Sequence, residues 1–418
     1  MTDTRPTPRL RYGRASLAVS FFVQGAVFAL LVTRIPALQD RYGVSDGLLP
    51  AFLAAVPVLA GVGSVGTEHL VRRVRPGLVL RWAQPVVSLA LLTAGSGTAL
   101  WQLALALAVF GLSVGALDAS MNMLGVTLQH AYGRSIMLGF HAAYSLGGIG
   151  GASLAWAGAH WDVPLPVLYA PLVATLVPVA LFASRWYVDR ADDRTGEPAD
   201  KQEGGERRQE SLQDEQAPAA VSMKLLLPLC LVMSFAYIGD STVSNWSAKY
   251  LEDVLHSSEQ LATVPYNVYM VTALLGRTFG DFGVRRFGAV AVVRAGTLLA
   301  AGGFAVVAAA PGAWVGMLGF TLLGLGLCVL VPQTFAAAGR LFPGASDVAV
   351  ARLNIFNYVG FLIGSPLVGA LGGAWNYRGA MLVPMALVLA TLWYARSFAP
   401  APARYGDGHE RSRTVDVG

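Results

Sequence analysis

Twelve long apolar runs, separated by short loops that hold most of the charge, dominate this 418-residue chain. A run of roughly 18 or more such residues crosses a bilayer as a helix, because hydrocarbon offers no partner for a backbone N–H or C=O. Six runs lie near residues 15–38, 48–66, 78–94, 99–124, 136–157 and 165–186, and six more near 225–246, 261–279, 289–309, 314–338, 350–371 and 380–394. Each exceeds the ~10 residues of a tilted barrel strand, and none alternates apolar with polar, so helices are predicted. Only 13% of the residues are charged, about half the share usual in soluble domains. Arg5, Arg9, Arg11 and Arg14 ahead of the first run imitate a secretion signal, but the run is too long and no small-residue cleavage site follows.

The charges give organisation and orientation. Residues 189–221 hold 10 of the 25 acids and almost no large apolar residue, so this stretch cannot bury a core and reads as a disordered cytoplasmic linker. The resulting plan is a cytoplasmic tail at 1–14, a six-helix bundle at 15–187, the linker at 188–223, a second bundle at 224–397 and a cytoplasmic tail at 398–418. Arg72, Arg73, Arg75, Arg134, Arg285, Arg286 and Arg340 fall on the side of the tails and linker, and Arg34, Arg41, Lys249 and Arg378 opposite. That bias predicts a multi-pass protein of the cell membrane with both termini in the cytoplasm. The net charge of +5 is scattered rather than clustered, which excludes a nucleic-acid partner. Cys230 and Cys328 lie inside apolar runs and read as packing residues, with no metal or cofactor expected.

Sliding the chain by 213 residues places Arg72-Arg73 on Arg285-Arg286. The same offset pairs Asp40 with Asp253, Ser45 with Ser258, Glu68 with Asp281, Arg81 with Arg294, Trp101 with Trp314, Gly111 with Gly324 and Gly151 with Gly364. Matches of charge and tryptophan at loop positions are hard to obtain by chance, so the chain reads as two parallel copies of a six-helix unit. Such halves enclose a cavity near the midplane.

Twelve spans, a six-linker-six plan and a basic turn after the second span of each half resemble the major facilitator superfamily over nearly the whole chain. Asp118-Ala-Ser-Met-Asn122, His141-Ala-Ala-Tyr144-Ser145-Leu-Gly147, and Gly239-Asp240 with Asn245-Trp246 are similar to its fucose-permease-like bacterial branch. That branch often has Glu, Asp and Glu at the places of Asp240, Asn245 and Gln129. The family's cytoplasmic motif is kept in Gly280-Asp281 with Arg285-Arg286 and degraded in Gly66-Thr67-Glu68 with Arg72-Arg73. The fifth span lacks the glycine-proline signature of drug antiporters, since Gly147 to Gly151 contains no proline. The resemblance implies an all-α membrane transporter of twelve helices, working as a monomer and without enzymatic activity.

An ionised carboxylate in hydrocarbon costs at least ~2.5 kcal/mol, so intramembrane acids default to function. Only Asp118 and Asp240 lie well inside spans. Desolvation favours the neutral form of a carboxyl group, which suits one that takes up and releases a proton near neutral pH. Asn122 lies one turn from Asp118 on the same face and is expected to hydrogen-bond with it towards the cavity. His141, with a reference pKa of ~6.5, is a third proton-coupling candidate. Neutral polar groups form a second constellation: Gln24, Tyr144, Asn245, Trp246, Tyr266, Asn267, Tyr269, Asn354, Asn357 and Tyr358. Asn354 and Asn357 are the images of His141 and Tyr144, and amides with aromatic rings suit a hydroxylated or otherwise neutral polar solute. Interhelical hydrogen bonding is the bland alternative for any one of them. Gating is expected of Glu68, Arg72, Arg73, Arg277, Asp281, Arg285 and Arg286, with Arg277 and Asp281 paired to each other or to a neighbouring helix. The glycines of 111–115 and 360–364 stand at close-packing spacing.

Gly61-Val62-Gly63-Ser64-Val65-Gly66 matches a dinucleotide fingerprint without its strand, and Gly43-Val44-Ser45-Asp46-Gly47 a nucleophile elbow in a short outer loop. Both are taken as chance. The sequence therefore points to a secondary active transporter coupling protons to a small polar solute. Proton-driven export of a drug-like or natural-product molecule, and a receptor or assembly factor that binds without transport, stay open.

Overall fold

The computed structural model describes residues 6–45, 48–189, 221–258, 261 and 264–399, and among these no residue is in a strand. Most of the predicted linker, both chain ends, and Asp46 and Gly47 of the outer loop lie outside the described residues. The first half comprises α1 (Pro8–Thr33), the short α2 (Ile35–Tyr42), α3 (Leu49–Leu70), α4 (Pro76–Ser96), α5 (Leu100–Tyr132), α6 (Met137–His160) and α7 (Leu165–Ala183). The second comprises α8 (Met223–Lys249), α9 (Val264–Phe287), α10 (Ala289–Ala309), α11 (Ala313–Leu327), α12 (Leu330–Leu341), α13 (Ser346–Ala374), the one-turn α14 (Tyr377–Ala380) and α15 (Leu382–Tyr394). Among the described residues nine stretches are long and apolar enough to cross a membrane, and α3, α6 and α9 complete the twelve.

Several ends differ from the apolar edges for identifiable reasons. Residues 8–14, expected in the tail, form the first two turns of α1, where Pro8 needs no N–H partner and Thr7 Oγ1 accepts the Leu10 N–H at 3.4 Å. α1 stops at Thr33 because Pro36 has no N–H to continue the ladder, and α2 starts afresh. α5 continues to Tyr132, past the apolar edge at residue 124, and is ended by Gly133 at φ 61°, a conformation glycine adopts without strain. The tenth span is broken at Cys328-Val329 into α11 and α12. Pro332 lies four residues beyond Cys328, so it removes one hydrogen bond and its ring collides with that carbonyl.

The 213-residue repeat is a repeat of packing. In the first half α1 packs on α6, α3 and α4 on α5, and α4 on α7; in the second α8 packs on α13, α9 and α10 on α11, and α10 on α15. The halves meet where α3 lies on α13 and α9 lies on α6, again a matched pair. Glycine permits the closest of these approaches. A Cβ at Gly147 of α6 would strike the Phe22 carbonyl of α1, and a Cβ at its image Gly360 would strike the Ser234 carbonyl of α8. Gly61 to Gly66 lies in mid-α3 as continuous helix, with no loop to cradle a phosphate. Cys230 and Cys328 are free and buried.

Candidate functional site

The centre of the interface between the halves is a hydrogen-bonded carboxylate. Asp118 Oδ1 accepts from Gln24 Nε2 of α1 at 3.0 Å. Its Oδ2 accepts from Asn357 Nδ2 at 3.1 Å and from Tyr358 Oη at 2.9 Å, both on α13. One acid of the first half is thereby held by an amide of its own half and by an amide and a phenol of the other. Asn357 also donates to Asn354 Oδ1 at 3.0 Å, and Asn354 Nδ2 donates to Ser64 Oγ of α3 at 3.3 Å, so the network crosses the interface twice. Asp118, Tyr144, Tyr237, Asp240 and Tyr358 are half-buried although they lie inside helices. Polar side chains that keep accessible surface this deep in the bundle point to a polar cleft at the interface.

The second acid has different company. Asp240 on α8 accepts from Tyr269 Oη on α9. Arg277, two turns along α9 from Tyr269, is within electrostatic range of Asp240 and donates to Ser145 Oγ on α6. Tyr144 and Tyr237 are each within electrostatic range of both acids. His141 is wedged between Phe21 and Phe335, with ring centroids at 5.3 and 6.3 Å, and Nε2 has no hydrogen-bond partner. Tyr266 stacks on Tyr269 at 6.3 Å.

Three expected site residues turn elsewhere, and Asn122 turns its amide nitrogen away. Asn122 does not pair with the Asp118 carboxylate; its Nδ2 donates to the Asp118 backbone carbonyl at 2.9 Å, because from one turn away the short side chain reaches its own helix first. Asn245 does the same to the Ser241 carbonyl at 2.9 Å. Trp246 donates to the Ser365 carbonyl at 3.0 Å and packs on Tyr377 at 5.4 Å, which fastens α8 to α13 and α14. Asn267 lies on the exposed face of α9.

At the end of the bundle that carries the two basic turns, contacts from α9 and α3 tie the halves together. Four backbone N–H groups at the start of α6 lack helical partners. Gln129 Oε1 accepts those of Ile136 and Met137 at 3.0 and 3.1 Å. Asp281, from the other half, accepts those of Leu138 and Gly139 at 3.3 and 2.9 Å, and the Ser135 hydroxyl at 2.6 Å. Arg285 donates to the Ser135 carbonyl at 3.0 Å. Arg277 and Asp281 thus bond to the neighbouring helix, the second of the two expected arrangements. Across the pseudo-symmetric junction Glu68 Oε1 accepts from Arg352 Nε of α13 at 2.9 Å and, more weakly, from Arg72 at 3.4 Å. Arg73 is exposed, and Arg286 stacks over Phe287 at 5.6 Å.

The sequence reading missed Arg352, Ser64, Ser135 and Tyr237. The repeat would have flagged two: Tyr237 is the image of Gln24, and Ser64 that of Arg277.

The comparisons with known proteins follow this architecture. The Major Facilitator Superfamily model matches residues 229–415. An uncharacterized MFS-type transporter of Yersinia pestis is 29% identical over 370 residues, covering 85% of this chain and 88% of that protein. Among solved structures, the fucose transporter FucP in the outward conformation superposes with a TM-score of 0.72 at 16% identity, covering 92% of this chain and 98% of that one. The proton:xylose symporter XylE, solved with 6-bromo-6-deoxy-D-glucose, gives 0.73 at 12% identity, covering 94% and 96%. Twelve helices in two repeats, an interface built from spans two, five, eight and eleven, and relatives along the length of the chain converge on one description: this multi-pass membrane protein has the fold of the major facilitator superfamily, whose model its second half matches.

Proposed function

We propose that this protein moves a small polar solute by alternating access, coupled to a proton carried by Asp118. The observation that carries this reading is the grip of α13 on Asp118 through Asn357 and Tyr358. An ionised carboxylate accepts all three bonds with the strength of a charged acceptor; protonation removes that charge and puts a donor hydrogen on one oxygen, which weakens them. Proton uptake therefore loosens a contact between the halves, which is what coupling requires. The donors to Asp118 are all neutral, whereas Asp240 has Arg277 nearby to balance its charge. We therefore assign the proton to Asp118, and to Asp240 a charge-balancing role towards Arg277.

Alternating access then needs the basic end to open, which breaks the Asp281 and Glu68 contacts. Two structural neighbours, a fucose:proton symporter and a proton:xylose symporter, support proton coupling. In this scheme residues 15–187 and 224–397 are the two moving bundles, the linker and both termini are cytoplasmic, and the monomer is the working unit in a bacterial inner membrane. The test is purified protein in liposomes with a pH-sensitive dye inside. Solute addition should produce proton movement and solute accumulation under an imposed pH gradient, both absent in Asp118→Asn. Solute uptake indifferent to the gradient overturns the coupling; binding with no movement of solute overturns transport.

A further inference from the structure

We propose that the pocket beside Asp118 recognises its solute through the solute's own hydrogen-bond donors, hydroxyls or an ammonium, and rejects carboxylates and other acceptor-only groups. This rests on the transport reading for its purpose but not for its geometry. Three side-chain carbonyl oxygens around Asp118 are buried without a partner: Gln24 Oε1, Asn122 Oδ1 and Asn357 Oδ1. The parent residues are 5%, 1% and 2% exposed.

Which amide atom faces which way is forced by chemistry. Gln24 and Asn357 meet the Asp118 carboxylate, and Asn122 meets a backbone carbonyl; both partners only accept, so the amide nitrogen must face them. Each amide spends its donor on the protein and keeps its acceptor. Asn357 uses Nδ2 twice, on Asp118 and on Asn354. For Gln24 and Asn357 the free oxygen belongs to an amide whose nitrogen touches Asp118, one amide on each carboxylate oxygen. Asn122 adds a third from one turn along α5.

The other buried unpaired side-chain groups are scattered over α4, α10, α12 and α15 and at the junction of α1 with α2, apart from His141 Nε2 and Arg277 Nε on the far wall of the cleft. A buried acceptor without a donor is costly, and three around one carboxylate are complementary to a ligand that brings donors. A carboxylate solute would meet three carbonyl oxygens and a negative charge there. A polyol satisfies the acceptors; an ammonium does so and also meets Asp118 as a counter-charge.

The test is binding, measured by thermal shift and tryptophan fluorescence on detergent-purified full-length protein. The probes are D-xylose, myo-inositol and D-glucosamine, each beside its fully O-methylated counterpart (and N-acetylated for the amine), with lactate, succinate and citrate as acceptor-only probes. At least one free polyol or amine should bind, its blocked counterpart should bind at least tenfold more weakly, and the acids should not bind. A preference for hydroxyls over glucosamine or the reverse identifies which donor is used. Binding of an acid or a blocked compound in preference to the free one, or no binding by any free compound, overturns the proposal.

Asn122→Leu separates recognition from structure, because the hydrogen bond Asn122 donates runs to its own helix and ties no two helices together. Recognition predicts at least tenfold weaker binding of the successful probe. Unchanged binding with a higher melting temperature means the oxygen was merely an uncompensated buried group, and sinks the proposal. Because binding is read in detergent, a probe that binds as expected yet never enters liposomes refutes the transport reading alone.

Discussion

Glu68 and Arg352 form an ion pair between the halves, with Nε 2.9 Å from Oε1, at the position where the other side of the molecule uses Asp281 and the backbone of Gly139. The 213-residue offset carries Glu68 to Asp281 and Gly139 to Arg352. The partner changes because the helices start in different places. α6 begins at Met137, so the Gly139 N–H is free for a carboxylate; α13 begins at Ser346, so the N–H of Arg352 is already spent inside the helix and a side chain must supply the donor. Arg352 Nη1 also holds the Val221 carbonyl at 2.9 Å, tying the start of α8 to the same junction. In a double-mutant cycle with Glu68→Gln and Arg352→Gln, the pair should show a coupling of about 1–2 kcal/mol in melting free energy. Additive losses would show that the pair is incidental.

The Asp281 junction should matter more. Its carboxylate serves two backbone N–H groups and a hydroxyl, and bonds to a charged acceptor contribute about 1.5–3 kcal/mol each. Asp281→Ala should lower the transport rate by more than tenfold and leave solute affinity within about twofold, because the residue lies at the basic end, away from the Asp118 cluster. Asp281→Asn, which keeps acceptor capacity through its carbonyl, should retain more of the rate. Lost affinity in a well-folded Asp281→Ala protein would place the residue in the binding site instead.

Interhelical approach gives a prediction about folding. α1 and α6 are held so close that a Cβ at Gly147 meets the Phe22 carbonyl, a rigid backbone atom that cannot swing aside. Gly147→Ala should therefore destabilise the protein by about 1–3 kcal/mol. Ala at Gly61, which faces open space on α3, should cost nothing measurable in the same assay. Equal melting temperatures for the two variants would contradict the packing described.

The architecture was legible because its signals are periodic and additive. Apolar runs mark helices one by one, and charged residues repeated at 213 residues report duplication however the side chains are arranged. Asp118 was legible for the same physical reason: a carboxylate inside an apolar run is costly unless it has a role. Directions were not. Asn122 and Trp246 have the composition of site residues, yet one bonds to its own helix and the other fastens α8 to α13. A sequence gives the distance between residues along a helix but not the rotamer, and a local backbone acceptor competes with every tertiary partner. Arg352 escaped notice because its role comes from an early helix start, which the apolar edge at residue 350 did not reveal.

The two intramembrane acids should separate when each is made neutral. Asn keeps the shape of Asp but cannot ionise, and at position 118 its carbonyl can still accept from Tyr358 or Gln24. Asp118→Asn should thus fold, bind solute within about tenfold of the wild-type affinity and exchange solute across a membrane with no gradient, while losing accumulation driven by a pH gradient. At position 240 the same change removes the counter-charge of Arg277 and weakens the Tyr269 bond, leaving a half-buried cation with less compensation. Asp240→Asn should consequently lose stability or solute binding, with any residual uptake still responding to the gradient. Replacing Arg277 by Gln in that background should restore part of the stability, because the unbalanced charge goes with it. If Asp240→Asn instead abolishes gradient-driven accumulation and leaves exchange intact, while Asp118→Asn still accumulates, the proton rides on α8 and the assignment to Asp118 is wrong. If both variants and the double mutant accumulate solute with unaltered pH dependence, neither acid couples transport, and His141, wedged between Phe21 and Phe335, is the next group to replace.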